Sequence, residues 1–164
     1  MENLKKLMKD ITIRNFTHDD VNFIYENWAE NKNWQGCLFK KDKESIKNLI
    51  DEWSTLIYHG KYFNQLIIVF KNQLVGMISL FEKSENEASV GVYIDQYYRQ
   101  QGIAKKAYLL IEKLARKLGY NILTAGVLKE NTASIKLHLR CGFIKDSICV
   151  NSKGKQQIKF IKRL

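Results

Sequence analysis

The chain opens its ordered pattern with alternation. Ile11-Thr12-Ile13-Arg14-Asn15-Phe16 has the period of two expected of a half-buried strand. Thr17-His18-Asp19-Asp20 then offers helix N-caps, and Val21, Ile24, Tyr25 and Trp28 follow at helical spacing. A second helix is predicted over Lys43 to Leu56, with Ile46, Leu49, Ile50 and Trp53 on one face. The middle of the chain is β-rich. Tyr62 to Phe70 reads as a strand, Lys71-Asn72-Gln73 as a tight turn and Leu74 to Glu82 as the next strand. Lys83 to Glu87 is a polar turn, and Ala88 to Asp95 is a third strand of what should be an antiparallel meander.

The period then changes. Ile103, Ala107, Leu110, Ile111, Leu114 and Leu118 make one apolar helical face, which Gly119 should stop. Ile122 to Val127 is a short buried strand. Asn131 to Cys141 is assigned as a helix from its cap, although Ala133, Ile135, Leu137 and Leu139 alternate. Gly142-Phe143 then turns into another strand. Phe143 to Val150 and Gln156 to Ile161 close as a hairpin around Ser152-Lys153-Gly154. The predicted order is β-α-α-β-β-β-α-β-α-β-β, an α/β (α+β) mixed sheet, in one domain over residues 1–164.

Composition changes this picture little. With 45% hydrophobic and 27% charged residues, the chain reads as an ordinary globular protein. No apolar run is long enough to span a membrane, and the first residues are too polar for a secretory signal, so a cytoplasmic location is expected. Cys37, Cys141 and Cys149 are widely spaced, as are His18, His59 and His138, so no metal site is expected. The net charge of +10 admits nucleic acid, an acidic partner or an anionic cofactor. Its lysines are scattered, and no nucleic-acid-binding motif accompanies them.

The informative stretch runs from Val92 to Lys105, where a strand ends, a short loop follows and an amphipathic helix begins at once. The first N–H groups of a helix have no internal partner and carry the positive end of its dipole, so a phosphate sits well there. Gly102 lets backbone approach an anion, Ala104 is small, and Arg99, Lys105 and Lys106 add positive charge. The P-loop pattern G-x-x-x-x-G-K-S/T and the dinucleotide pattern G-x-G-x-x-G are both absent. On local pattern alone, an ordinary strand-to-helix turn with Gly102 serving packing fits as well.

Arg99-x-x-Gly102-x-Ala104, preceded by Val92-Tyr93-Ile94, resembles the R/Q-x-x-G-x-G/A signature of the GNAT superfamily of N-acetyltransferases. Asn131 to Phe143 resembles that family's N-x-x-S/A-x-x-L/F-Y/H-x-x-x-G-F segment. The resemblance spans residues 10–164 in element order and is specific between 92 and 143. It implies acetyl-CoA as cosubstrate, with Arg99, Gln100, Gln101, Gly102, Ile103, Ala104 and Lys105 around its pyrophosphate. Val92, Tyr93 and Ile94 would pair with its pantetheine arm and acetyl group. Steps of three and seven residues turn a helix by about 300° and 700°, so Asn131, Ser134 and His138 share a face. That face can line the cofactor arm, with His138 nearest the sulfur. Asn131 also reads as an N-cap, and His138 as a packed histidine.

Departures narrow the expectation. Many family members carry Tyr where this chain has His138, and that Tyr protonates the departing thiolate. His at this position resembles the phosphinothricin and methionine sulfoximine acetyltransferases, which suggests amino acids or small amines as acceptors. Gln96, Gln100 and Gln101 fill frequent Pro, Gly and Arg positions of the family, and a cationic phosphate contact is lost at Gln101. The expected chemistry is direct attack by an amine, with backbone N–H groups near Ile94 as oxyanion donors and His138 as acid. Glu87 is the candidate base, because it shares strand parity with Ser89, Gly91 and Tyr93. Glu26, Glu30 and Glu82 are weaker candidates. A covalent route through Cys141 lacks a paired base. The acceptor pocket should lie against the first two helices, with Trp28, Trp34, Tyr58, Tyr62 and Phe63 as possible lining. Alternatives are an acetyltransferase of protein N-termini, of the ribosomal-protein type, and a non-catalytic acyl-CoA sensor. The resemblance is compatible with a homodimer.

Overall fold

A computed structural model describes residues 10–29, 42–151 and 153–164. Strand β1 (Ile11–Asn15) leads into a 3-10 turn (His18–Asp20), helix α1 (Val21–Ile24) and a π-helical segment (Tyr25–Ala29). Helix α2 (Lys43–Ser54) precedes β2 (Ile57–Tyr58), β3 (Lys61–Phe70), β4 (Gln73–Ser84) and β5 (Glu87–Ile94). Helix α3 (Ile103–Lys117), β6 (Ile122–Leu128), α4 (Thr132–Arg140), β7 (Ile144–Val150) and β8 (Gln156–Arg163) complete the chain. The sheet order is β1-β3-β4-β5-β6-β8-β7, with β2 paired to β3. Among the described strands, β5 and β6 run parallel and the other pairs are antiparallel. This is the mixed, mostly antiparallel sheet expected from the sequence.

Local chemistry sets the turns. Lys71 and Asn72 adopt φ of 48° and 62°, the left-handed pair of a two-residue hairpin, so Phe70 faces Gln73. His59 and Gly60 repeat the device at φ 50° and 74°, making the small β2–β3 hairpin. Gly119, at φ 92°, ends α3 as its sequence position suggested.

The two faces of the sheet bury separate apolar clusters. One holds Leu66, Ile68, Ile78 and Leu80 beneath Tyr108 and Ile111 of α3, with Phe143 and Phe160 beside them. The other packs Ile67 and Met77 against Val21 and Ile24 of α1 and Ile46 and Ile50 of α2. Lys162 crosses the end of the first cluster, donating to Glu112 at 2.5 Å and to the Cys141 carbonyl at 2.7 Å.

The expected first helix is broken up. Asp20 is 1% exposed and accepts two hydrogen bonds from Arg14, at 2.7 and 2.8 Å, and one from the Thr17 N–H at 2.8 Å. That knot holds residues 18–20 in a tight 3-10 turn. Burial alone would raise the Asp20 carboxyl, but the Arg14 and Thr17 hydrogen bonds hold it below the usual carboxylate range. A depressed carboxyl stabilises the fold fully above its unfolded pKa, near ~3.9, and the gain is lost as pH falls through the lower folded value. Asp20→Asn should cost about 2 kcal/mol in urea unfolding at pH 7. Its gap to the parent should close in the acid limb below about pH 4.

Candidate active site

Strands β5 and β6 are in register only at Glu87–Ile122, Ala88–Leu123 and Ser89–Thr124. Beyond that point β5 stays with β4 as far as Ile94, and β6 stays with β8 as far as Leu128. The two parallel neighbours therefore part in mid-sheet and leave a wedge between Val90–Ile94 and Ala125–Leu128. An extended ligand carrying amide groups can enter such a wedge and pair with strand backbone, as an added strand would.

The loop after β5 opens on the mouth of this wedge. Asp95 accepts from the Tyr97 N–H at 2.9 Å, which folds Gln96–Tyr98 into a 3-10 turn. Gln100 and Gly102 are both left-handed, at φ 62° and 78°. Gly102 is the N-cap of α3, and no side chain caps that helix start. A Cβ built on Gly102 would meet nothing within 4 Å. The N-terminus of α3 thus faces open space with its donors uncapped, which suits a phosphate. Ile103, 1% exposed, anchors the first turn in the core, while Ala104 is half-buried and Lys105 exposed. Arg99 turns back, its Nε donating to the Ile94 carbonyl at 2.9 Å with the guanidinium 6.0 Å from the Tyr93 ring centre. It ties the loop to the end of β5. Gln101 bonds the Tyr97 carbonyl at 3.3 Å. Val92 packs toward α3, Tyr93 points to the α1 side with its hydroxyl donating to Asn27, and Ile94 is buried.

Helix α4 carries the second segment. Asn131 is its N-cap, accepting from the Ser134 N–H at 3.0 Å, and both residues lie toward the solvent end. His138 corrects the expectation of a shared open face. Its ring is 3% exposed, stacked 5.2 Å from Phe160 and edge-on to Tyr108 and Phe143. The His138 Nδ1 lies 2.8 Å from the Ser134 carbonyl, which can only accept, so Nδ1 carries the proton. Nε2 then accepts from the Tyr108 hydroxyl at 2.8 Å. Burial lowers the imidazole pKa against a smaller opposing effect of the Ser134 carbonyl, and burial raises that of Tyr108. The pair is neutral and self-satisfied, with no proton directed at the wedge.

The opposite face of the sheet, toward α1 and α2, presents Phe63 and Gln65 on β3, Ser79 and Phe81 on β4, and Glu87, Ser89 and Gly91 on β5, as the pairing register requires. Trp53 lies 5.5 Å from Phe63, which is 6.1 Å from Phe81 and 5.7 Å from Tyr58, so an aromatic wall bounds this face. Tyr62 is not part of it. Its parity places it on the α3 face, 6.4 Å from Tyr120, where it accepts from Asn64. Glu82 is likewise on the α3 face, bonded to the Tyr62 N–H and the Tyr120 hydroxyl. Burial, then the Glu82 carboxylate, pushes the Tyr120 phenol up to about 12. Glu87 is half-buried where β5 and β6 are still joined, accepting from Thr124 at 3.2 Å. Glu26 is exposed on the π segment. Glu30, Trp34, Cys37 and the side chain of Trp28 lie outside the described residues.

Cys141 is 8% exposed, and burial pushes its thiol up to about 11, the wrong direction for a nucleophile. Cys141→Ala should keep turnover within about twofold of the parent in a thiol-release assay, as a simple cavity change would allow. Among the described residues no cluster of three or more His, Cys, Asp or Glu could hold a metal ion, and no helix is long and apolar enough to cross a membrane.

Comparisons with known proteins identify the family and the fold. Residues 10–144 match the family model described as an acetyltransferase (GNAT) domain. A curated relative, the SPbeta prophage-derived uncharacterized N-acetyltransferase YokL of Bacillus subtilis (strain 168), is 24% identical over 143 residues, covering 84% of this chain and 78% of its own. The spermidine N-acetyltransferase from Vibrio cholerae in complex with CoA and spermine superposes with a TM-score of 0.78 at 17% identity, covering 94% of this chain and 96% of its own. The apo RimL ribosomal L7/L12 alpha-N-protein acetyltransferase gives 0.79 at 18% identity, covering 96% and 92%. None of these likenesses supports the phosphinothricin-type subfamily suggested by His138. The family match spans the strand, loop and helix that border the wedge, and the chain belongs to the GNAT family as an acetyl-CoA-dependent N-acetyltransferase.

Proposed function

We propose that the chain moves the acetyl group of acetyl-CoA onto the primary amine of a small molecule, an amino acid or simple amine, by direct attack. The observation that carries this reading is the parting of β5 from β6 beside an uncapped helix start. Pyrophosphate would lie on the N–H groups from Gln100 to Lys105, with Gly102 giving it room. The pantetheine amides would pair with Val92, Tyr93 and Ile94, bounded on the far side by Asn131 and Ser134. The thioester carbonyl then meets backbone N–H groups near Ile94, which stabilise the oxyanion as it forms.

The acceptor enters from the α1–α2 face. Its neutral nitrogen attacks the carbonyl carbon, the C–S bond breaks, and the nitrogen's surplus proton ends on the CoA sulfur. No separate acid is needed for that balance, so neutral His138 acts by position, joining α4 to α3 through Tyr108. Glu87 is the carboxylate on the acceptor face of β5. Two residues of strand, about 7 Å, separate it from Ser89, so it would take the ammonium proton of the arriving amine through water.

The test is acetyl-CoA-dependent thiol release across amino acids, simple amines, polyamines and N-terminal peptides. Turnover on amino acids or simple amines is expected. Turnover confined to peptides would move the acceptor to protein N-termini. Silence with a retained rise in melting temperature on adding acetyl-CoA would indicate a sensor. Silence with no thermal response would remove the acetyl-transfer reading.

A further inference from the structure

One row of residues crosses three strands of the sheet, β3, β4 and β5, at right angles to them. Gln65 on β3 is opposite Ser79 on β4, which is opposite Gly91 on β5. All three sit on the α1–α2 face. The row ends on β5 two residues past Ser89, where β6 has already parted from β5. The rows on either side carry large apolar or aromatic side chains: Phe63 and Phe81 above, ending in Ser89, and Ile67, Met77 and Tyr93 below. Of these three rows, this one has only polar or absent side chains across β3, β4 and β5.

Gln65 is anomalous within it. The residue is 4% exposed, yet its Nε2 is buried without a hydrogen-bond partner among the described residues, the one such side-chain atom found there. Leaving a buried amide donor unmet is costly, and folded proteins rarely do so outside functional sites. Exposure rises along the row, from buried Gln65 to half-buried Ser79 and Gly91. Gly91 keeps the β5 end clear, since a Cβ there would lie 3.2 Å from Ser79 Oγ. The donor thus sits at the buried end of a row of polar or small residues that leads to the strand where the acetyl carbonyl would lie.

We propose that Gln65 determines acceptor specificity, donating through its side-chain amide to an oxygen of the amine substrate. The substrate class is then a primary amine with a carbonyl or carboxylate oxygen on the neighbouring carbon, the chemistry shared by a free amino acid and a peptide N-terminus. This inference rests on the acetyl-transfer reading and narrows it. A polyamine offers only N–H donors and positive charge. It would meet a donor at Gln65 and a protein of net charge +10, leaving the orphan amide unmet.

The experiment compares kcat/KM for alaninamide, alanine, the dipeptide Ala-Ala, isopropylamine and spermidine at saturating acetyl-CoA. Isopropylamine keeps the carbon skeleton around the nitrogen and lacks the oxygen. The parent enzyme should favour the oxygen-bearing amines over isopropylamine and spermidine, and the rank of alanine against Ala-Ala separates an amino acid from a peptide acceptor. Gln65→Leu should lower kcat/KM for alaninamide by about 10-fold to 100-fold, leave isopropylamine within about twofold, and leave the KM for acetyl-CoA unchanged. It should also melt no lower than the parent, because it removes an unmet donor. Gln65→Glu keeps the shape, exchanges donor for acceptor, and should shift preference toward spermidine. An unchanged alaninamide-to-isopropylamine ratio in both variants overturns the assignment of Gln65, as does a parent that prefers spermidine. Silence of the parent on every amine, with no thermal response to acetyl-CoA, overturns the acetyl-transfer reading instead.

Discussion

Gly102→Asp is expected to weaken acetyl-CoA binding by at least about 100-fold while leaving the fold intact. The position has φ 78° and open space where a Cβ would go, so the new side chain displaces nothing. Asp tolerates the left-handed region, and the conformational penalty is about 1 kcal/mol. Its effect on the ligand is larger, for two reasons. A carboxylate at the N-cap takes the helix N–H groups for itself, as an ordinary cap does. It also places a negative charge where the pyrophosphate must sit. Together these remove charge-assisted hydrogen bonds and add repulsion, at least about 3 kcal/mol. Isothermal titration with acetyl-CoA checks this, alongside the variant's own melting temperature. Gly102→Ala, which adds bulk without charge, should lose about 10-fold. An undiminished affinity in Gly102→Asp would place the phosphates elsewhere and sink the cradle.

The largest stability loss is expected at Gly76→Ala. A Cβ on Gly76 would stand 2.2 Å from the Tyr93 carbonyl oxygen and 3.2 Å from the Ile94 Cα. Both are backbone atoms, so no side-chain rotation relieves the contact. Gly76 sits at the point where the β3–β4 register shifts and β4 meets the last residues of β5. The methyl must push the end of β5 away from β4. A loss of about 3 kcal/mol or more follows, or roughly 10 °C in melting temperature for a domain of this size. The same displacement moves Tyr93 and Ile94, the backbone proposed to hold the thioester. The folded fraction should therefore also lose turnover at low temperature, where stability does not limit it. Urea unfolding read beside turnover at 10 °C, about the temperature of greatest stability, separates the two effects. A Gly76→Ala protein with parental stability would contradict the packing at the β4–β5 junction.

Much of this architecture was written locally. The β3–β4 hairpin follows from Lys71-Asn72, both able to adopt positive φ, between two alternating apolar runs. Helix α3 follows from its apolar face and from Gly102 and Gly119 at its ends. The strand-loop-helix junction was legible for the same reason: a strand, a glycine and a helix start are neighbours in the chain. Such features depend on residues within a turn or two of one another, so sequence alone determines them.

Other features were decided by packing between distant segments. Helix arithmetic placed His138 on the face of Asn131 and Ser134, but Tyr108 and Phe160, from α3 and β8, close over its ring. Strand parity was visible at Tyr62 and Glu82, but which parity faced α3 depended on how the sheet was covered. The last hairpin was legible as a hairpin, yet its second strand, β8, became the inner one beside β6. The wedge exists because β5 keeps β4 while β6 keeps β8, a competition among four strands that no one segment records. Gln65 left one trace, an amide beside Asn64 in a strand that is apolar from Leu66 onward. That its Nε2 lacks a partner among the described residues became visible only in the folded sheet, because an unmet donor is a property of the space around a group and not of the group itself.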